Sequence, residues 1–305
     1  MQRFKKILFV NEANTTASTT AERAAQLARN NAAQLVLCNA SKEMPKAIPK
    51  LEIAFNQAHE RQLLDKFENV ELAGVNTEKK LLTGTPFIEI TKEVQRGRYD
   101  LVIKSAEGSG GAFSNLFGET DMRLMRKCPC PVWIIKPAKV GTYSGVVAAV
   151  DPDPEQRENA KLNESILNLA TSLARQENSV LHIVHTWYLQ SEESLRSERT
   201  GMSKEEVDEI VAEIENKHGQ WLQELLERHD LDGIDFKVHL VKGDAGTVIP
   251  ELVQEQQAEV VVMGTVARTG IAGFIVGNTA ESILRNVDCS VLTVKPEGFV
   301  SPIKV

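Results

Sequence analysis

A chain of 305 residues with a net charge of −7 is long enough for two domains, because one hydrophobic core rarely grows beyond about 250–300 residues. Its 42% hydrophobic and 25% charged residues exclude a disordered or collagen-like chain, and its acidic balance with 5% aromatic residues argues against nucleic acid as a specific partner. No stretch approaches the ~20 apolar residues of a membrane span, and the apolar run at residues 7–10 is too short for a signal peptide, so we expect a cytoplasmic protein without a membrane partner.

The first predicted element is an apolar run followed by a polar turn, and it occurs twice. The segment FKKILFVNEAN near residue 4 resembles SGVVAAVDPDP near residue 144. Further along, residues 100–136 align without gaps on residues 259–295, at an offset of 159. Such self-similarity is the sign of a repeated unit. The sequence therefore predicts two copies of one domain, residues 1–140 and 141–305, with extra residues in the second copy mainly between 187 and 206.

Strands and helices alternate in the second copy. Residues 146–150 are a continuous apolar run, as in a strand buried on both faces, and the apolar residues of segment 162–174 recur at helical spacing. Residues 180–184 predict the second strand, and Ser203 with Glu206 predicts a capping box before a long helix. Further strands are expected at 236–241, 260–263 and 291–294, with helices at about 247–257 and 280–285. This order predicts an α/β fold: two tandem, doubly wound, mainly five-stranded parallel-sheet domains, which bind ligands beyond the carboxyl ends of their strands.

The loop and helix start at residues 264–279 are the best candidate for a phosphate site. Glycines let the backbone approach a ligand, and the amides at a helix amino terminus favour an anion, although such loops also occur simply to make a turn. The string MGTVARTGIAGFIVGNTAESIL closely resembles the nucleotide-binding loop of the universal stress protein family. Together with KCPCPVW in the first copy, it identifies the chain as a tandem member of that family.

The resemblance implies a nucleotide site in the second copy, for ATP or a related nucleotide with its Mg²⁺. Ala267 departs from the family pattern at the second glycine, and Asn278 departs at the hydroxyl position. The residues whose amides would hold phosphates are Gly264, Ala267, Gly277, Asn278 and Thr279. The residues implied beside the nucleoside or lining its pocket are Asp151, Thr186 and Met263. For Asp151, capping of the following helix is an equal alternative.

The first copy departs further from the family pattern. Ser105 replaces the first glycine, Asn11 replaces the leading aspartate, and Glu119 occupies the position that should meet phosphate. A carboxylate at that position would repel an anionic ligand, with Lys104 and Arg123 offsetting part of the repulsion. We therefore expect no nucleotide in the first copy.

The chain has four cysteines: Cys38, Cys128, Cys130 and Cys289. They form no CxxC pair and are interpreted as structural thiols. His182 and His185 are three residues apart on a strand, which puts them on opposite faces, so at most one of them can share a site with His239. Structural roles are favoured over a metal site. No GxSxG, HExxH or P-loop motif occurs, so the sequence predicts at most slow ATP hydrolysis.

Three functions stay open at this point. The first is a stress-response protein that binds ATP or another phosphate-bearing ligand in its second copy. The second is an interaction scaffold, because residues 141–305 carry 27 acidic against 14 basic residues. The third is a carrier of a lipid-like metabolite, if the insertion around 188–202 forms a lid and does not merely extend the long helix. The resemblance also implies that the WIIKP and LTVKP strands pair as an intramolecular pseudo-dimer, and it leaves room for a homodimer.

Overall fold

The computed structural model describes residues 4–11, 18–43, 49–67, 70, 72–107, 117–136, 142–155, 157–197, 200–265 and 277–305. The chain divides into two compact units. Unit 1 comprises Met1–Thr142, Thr265–Gly277 and Asp288–Val305, and unit 2 comprises Tyr143–Gly264 and Asn278–Val287. The final segment of the second copy is thus part of the unit that contains the first copy.

The helices and strands follow in this order: β1 (Lys6–Asn11), α1 (Ser18–Asn31), β2 (Gln34–Ser41), α2 (Pro49–Phe67), β3 (Thr77–Thr83), α3 (Pro86–Gly97), β4 (Leu101–Ser105), α4 (Glu119–Lys127), β5 (Val132–Ile135), β6 (Gly145–Ala149), α5 (Arg157–Glu177), β7 (Val180–Trp187), α6 (Glu192–Leu195), α7 (Lys204–Glu227), β8 (Phe236–Lys242), α8 (Ala245–Glu255), β9 (Val260–Gly264), α9 (Asn278–Asn286) and β10 (Ser290–Val294).

In unit 1 the strands lie in the order β3-β2-β1-β4-β5-β10. The pairs from β3 to β5 are parallel, whereas β10 runs antiparallel to β5, with Leu292 opposite Trp133. Every residue of β4 is buried, because helices cover both faces of a central parallel strand, whereas β3 exposes most of its residues. The WIIKP and LTVKP segments therefore supply a strand pair within unit 1, and the pseudo-dimer stays a prediction.

In unit 2 the strands lie in the order β9-β6-β7-β8, and all their pairs are parallel. The predicted apolar face of α5 is buried: Leu162, Ile166, Leu169 and Leu173 are at most 8% exposed. Burying each such side chain stabilises the fold by about 1.5–3 kcal/mol. The mostly parallel, tandem α/β architecture predicted from the repeat is confirmed.

The start of α7 confirms the predicted capping box and decides one question about the insertion. Ser203 Oγ accepts a hydrogen bond from the Glu206 amide at 3.1 Å, and Glu206 Oε2 accepts one from the Ser203 amide at 2.7 Å. Because α7 begins after this cap, the preceding insertion does not extend the long helix. It contains the separate short helix α6, where Glu192 forms ion pairs with Arg196 and with Lys242 at 2.6 Å. Its role as a lid stays a prediction.

Candidate functional site

Predicted site residues of the second copy lie at the carboxyl ends of three neighbouring strands of unit 2. Asp151 follows β6 closely, Thr186 is the penultimate residue of β7, and Met263 and Gly264 end β9. Strand β6 lies between β7 and β9, and its Ala149 pairs with Met263. The chain leaves β6 toward one neighbour and returns on its other side, which is where doubly wound sheets open a ligand crevice. The fold therefore brings these four residues to one edge of the sheet.

Helix α5 holds Asp151 in place. Asn163 Nδ2 donates to the Asp151 carbonyl oxygen at 2.7 Å, and Asn163 Oδ1 accepts from the Asp151 amide at 3.0 Å. Asn159 Nδ2 donates to Asp151 Oδ2 at 3.4 Å. The alternative of helix capping is wrong, because α5 begins only at Arg157. Asn163 was not predicted, yet a polar residue next to Leu162 on an apolar helix face was a signal for it.

Gly264 is accounted for by packing as well as by any ligand. A Cβ atom at this position would lie 2.8 Å from Leu162 Cδ2, closer than side chains pack. Met263 is 2% exposed. A side chain at residue 264 would therefore require the Leu162 side chain of α5 to shift.

Helix α9 begins at Asn278, directly after Gly277. Asn278 and Thr279 are exposed in its first turn, where main-chain amides have no partner within the helix and favour an anion. Ala267 lies outside the described residues, within 266–276. The described part of the predicted phosphate-binding loop is therefore its two ends.

Two histidine pairs include residues of β7. His185 Nε2 and His218 Nδ1 are 2.8 Å apart, and His185 Nδ1 lies 3.2 Å from the Val150 carbonyl oxygen. His182 Nδ1 and His239 Nε2 are 3.1 Å apart, so the prediction that His182 and His185 face opposite sides is confirmed. Burial lowers the pKa of all four rings. His218 was not predicted, since only the fold brings α7 to β7.

A cavity of about 240 Å³ lies in unit 2 beside the turn that follows β6. Its wall includes Pro152 of that turn, Asn163 of α5, and Trp221, Leu225 and Arg228 at the end of α7. The volume is below the ~300–1,000 Å³ of typical small-molecule sites. The cavity shares Asn163 with the contacts of Asp151.

The start of α4 in the first copy corresponds to the start of α9 in the second. Carboxylates of the first copy accept hydrogen bonds from the amides there. Asp121 Oδ2 accepts hydrogen bonds from the amides of Glu107 at 2.7 Å and Gly118 at 3.2 Å, while Glu107 Oε2 accepts one from the Thr120 amide at 3.1 Å. Lys104 Nζ lies 2.8 Å from Asp121 Oδ1 and 3.8 Å from Glu107 Oε1. A Cβ on Gly118 would lie 1.9 Å from Glu107 Oε2, so only glycine fits there. The amides at the start of α4 thus already bind anionic groups of the chain.

Glu119 itself does not reach these amides, and its repulsion of an anionic ligand stays a prediction. Its side chain is 77% exposed and forms an ion pair with Arg123, because the first residue of α4 points away from the turn. The carboxylates of Glu107 and Asp121 accept the hydrogen bonds of these amides instead. The expectation that no nucleotide binds in the first copy stays a prediction and rests on these two carboxylates.

Comparison with known proteins identifies the fold and its repeat. Residues 3–136 and 142–295 each match the model of the universal stress protein family. The chain belongs to this family. It is 31% identical over 236 residues to universal stress protein E of Photorhabdus laumondii, covering 76% of this chain and 73% of the relative. Universal stress protein E of Escherichia coli K12 is 31% identical over 237 residues, covering 76% of this chain and 72% of the relative.

Solved structures with the same fold include a functionally unknown protein from Pseudomonas aeruginosa PAO1, with a TM-score of 0.73 and 23% identity, covering 98% of this chain and 95% of that chain. A universal stress protein from Archaeoglobus fulgidus has a TM-score of 0.65 and 18% identity, covering 95% of this chain and 98% of that chain. At these identities the structures support the fold of this tandem universal stress protein and nothing further.

Within the residues of this universal stress protein that the structure describes, no group of three or more histidine, cysteine, aspartate or glutamate side chains is arranged to hold a metal ion. No described helix combines the length and hydropathy that a membrane span requires. The described site residues that the sequence predicts at the ends of β6, β7 and β9 lie together in this member of the family.

Proposed function

We propose that this stress-response protein binds ATP, a related nucleotide or another phosphate-bearing ligand at the carboxyl ends of β6, β7 and β9, and that it does so in the cytoplasm with at most slow hydrolysis. The observation that carries the proposal is a contrast between the two copies at the amides that begin α4 and α9. The first copy supplies its own anions to these amides, whereas the second copy has residues without a carboxylate at the two positions that supply them.

The contrast follows from the repeat offset. In the first copy, the carboxylates of Glu107 and Asp121 accept hydrogen bonds from amides around the start of α4. The offset of 159 places Val266 and Ala280 at the corresponding positions of the second copy, and neither side chain carries a carboxylate. A phosphate group offers the same negative charge and acceptor oxygens. The amides that would receive it are those of Gly277, Asn278 and Thr279.

The nucleoside end of the ligand would meet Asp151, whose position is set by Asn159 and Asn163. A carboxylate held in this way suits hydrogen bonds from the hydroxyl groups of a ribose. Thr186 and the buried Met263 would lie on either side, since β7 and β9 flank β6. Mg²⁺ would enter with the phosphates of the nucleotide, which it prefers as ligands.

A thermal-shift titration with ATP and Mg²⁺ tests the proposal. A ligand at 100 times its dissociation constant should stabilise the folded protein by about 2.7 kcal/mol. Asn278→Asp adds a negative charge to the first turn of α9, where the helix tolerates it well but a phosphate is repelled. We expect this variant to lose the ATP-induced shift.

Asn286→Asp is the matched control, because it makes the same chemical change at the exposed other end of α9. It should retain the shift. Equal losses in both variants would contradict the proposed location. The absence of any shift at millimolar ATP in the unmodified protein would favour an interaction scaffold.

A second candidate function is the carrier of a lipid-like metabolite, and the cavity beside Trp221 and Leu225 is the observation that favours it. Its volume of about 240 Å³ suits a small group better than a long acyl chain. Native mass spectrometry of the gently purified protein separates the candidates, because a co-purifying acylated molecule and a nucleotide differ in mass.

A further inference from the structure

Two cysteines lie side by side at the junction of α4 and β5. Cys128 directly follows α4, Cys130 comes two residues later, and their Sγ atoms are 3.7 Å apart within hydrogen-bonding distance. Cys128 has no exposed surface, and Cys130 retains 8% of its surface. The offset of 159 places Val287 and Cys289 at the equivalent positions, so the pair belongs to the first copy alone.

A buried lysine sits at the same junction. Lys295 Nζ donates to the carbonyl oxygens of Met125 at 2.6 Å and Arg126 at 3.2 Å, and it contacts Thr265 Oγ1. These acceptors suit the three protons of an ammonium group. Burial lowers the pKa of Lys295 to about 7, although the neighbouring thiols oppose that change. A positive charge is therefore held beside Cys128 at and below neutral pH.

The two thiols are made unequal by these surroundings. Burial acts to raise the pKa of Cys128, but hydrogen bonds from the side chain and amide of Cys130, together with the charge of Lys295, outweigh it and lower that pKa. The hydrogen bond to Cys128 and burial raise the pKa of Cys130 well above its usual range. Of the two thiols, Cys128 is therefore the one whose surroundings favour the thiolate.

We propose that Cys128 and Cys130 are a redox-modification site, at which a peroxide converts the two thiols of the folded protein into a reversible disulfide. The Cys128 thiolate attacks one oxygen of the peroxide, the O–O bond breaks, and a sulfenic acid forms while the leaving oxygen takes up a proton as water. The sulfur of Cys130 then attacks the sulfur of Cys128, the S–O bond breaks, and the thiol proton of Cys130 leaves in a second water. Two thiols and one hydrogen peroxide thereby give one disulfide and two waters.

The geometry requires little movement for this step. A disulfide has an S–S distance of about 2.05 Å, so the two sulfur atoms must approach by less than about 2 Å, which side-chain rotation supplies. Hydrogen peroxide is little larger than water, and Cys130, with 8% of its surface exposed, is the member of the pair nearer to solvent. The other two cysteines lie in different elements: Cys38 lies in β2, and Cys289 precedes β10.

Mass spectrometry after treatment of the folded full chain with hydrogen peroxide at pH 7 tests the proposal. Free thiols are alkylated at the end of the reaction, and one tryptic peptide carries both Cys128 and Cys130. We expect this peptide to lose two hydrogens and its two alkylation sites, and dithiothreitol to restore both. Cys289→Ser is the matched control, because it removes a buried thiol of the second copy and should leave the reaction unchanged.

The variants Cys128→Ser and Cys130→Ser should each abolish the loss of two hydrogens while keeping the circular dichroism spectrum of the folded chain. Lys295→Met should slow the reaction at pH 7 and shift its pH profile upward, and Lys295→Arg should restore the rate because it keeps the charge. Oxidation of either cysteine to sulfinic or sulfonic acid without a disulfide would overturn the proposal. So would a reaction that occurs only after the chain is unfolded in urea.

Discussion

Replacing Asp121 by alanine should weaken unit 1 strongly, since the change removes the carboxylate 2.8 Å from the buried ammonium group of Lys104 and leaves that group with the Glu107 carboxylate at 3.8 Å. Asp121 has no exposed surface, and Lys104 is 1% exposed. Burial raises the pKa of Asp121, and the charge of Lys104, 2.8 Å away, opposes that change. The carboxylate also accepts hydrogen bonds from the amides of Glu107 and Gly118. All three interactions end when the carboxylate is removed.

Removal of one partner from a buried ion pair costs about 3–5 kcal/mol of unfolding free energy. Lys104→Met should cost a similar amount at neutral pH, and less as the pH falls, because a protonated Asp121 needs no counter-charge. The double variant Lys104→Met with Asp121→Ala installs the residues that the second copy has at these positions, Met263 and Ala280. This double variant lacks both charges of the pair, so its loss of unfolding free energy should be no larger than that of either single variant. The two changes should therefore be coupled by about 3 kcal/mol.

Hydrogen exchange followed by mass spectrometry measures this effect in each unit separately. In Asp121→Ala the protection of the β4 and β5 amides should fall by about 3–5 kcal/mol. The amides of β6 and β7 in unit 2 serve as an internal reference. A single variant within about 1 kcal/mol of the unmodified protein would refute the argument. A double variant that costs the sum of the two single changes would refute it as well.

Three further predictions concern buried polar groups. Lys295→Met removes the donor to the last carbonyls of α4 and should lower the stability of β5 and β10 by about 1–3 kcal/mol in the same exchange experiment. Burial chiefly lowers the pKa of His185, with His218 adding to that effect and Asp151 opposing it, so the unfolded chain binds more protons below about pH 6.5. The free energy of unfolding should therefore have its full value above that pH and fall below it, by up to about 1.4 kcal/mol per pH unit for this ring. Urea unfolding at several pH values should give a shallower slope in His185→Gln. Asn163→Ala frees both main-chain groups of Asp151 and should cost unit 2 about 1–3 kcal/mol while weakening the ATP-induced thermal shift.

The repeat and the elements of unit 2 could be predicted from the sequence because they depend on local patterns. The strand at 180–184 and the capping box of Ser203 and Glu206 depend on burial periodicity and on groups only a few residues apart. The alignment of Asp151 and Thr186 at one edge follows from the same reasoning, since each ends a strand of a parallel sheet. Local sequence was therefore enough to place these two residues.

The contacts that the sequence did not predict join distant elements. His218 meets His185 only because α7 lies against β7, and helical spacing cannot specify that contact. The contacts of Asp121 have a different origin. Asp121 is the third residue of α4 and accepts a hydrogen bond from the amide of Gly118, and an acidic residue at that position was visible in the sequence. The carboxylate three residues into a helix, and not the first one, turns back to the amides before it.

The repeated fold creates the same requirement in both copies, because the amides at the beginning of a helix need acceptors from outside that helix. The first copy meets the requirement internally with Asp121 and Glu107, and it buries Lys104 to balance their charge. The second copy has Met263, Val266 and Ala280 at these three positions, so its acceptors must come from other groups, from water or from a ligand. A phosphate that supplied them would bind only the folded state and would stabilise it by mass action. We expect the first copy to gain less from the same ligand, because carboxylates of the chain already accept hydrogen bonds from its amides, and this difference is the physical reason to expect one ligand in a protein with two copies of the fold.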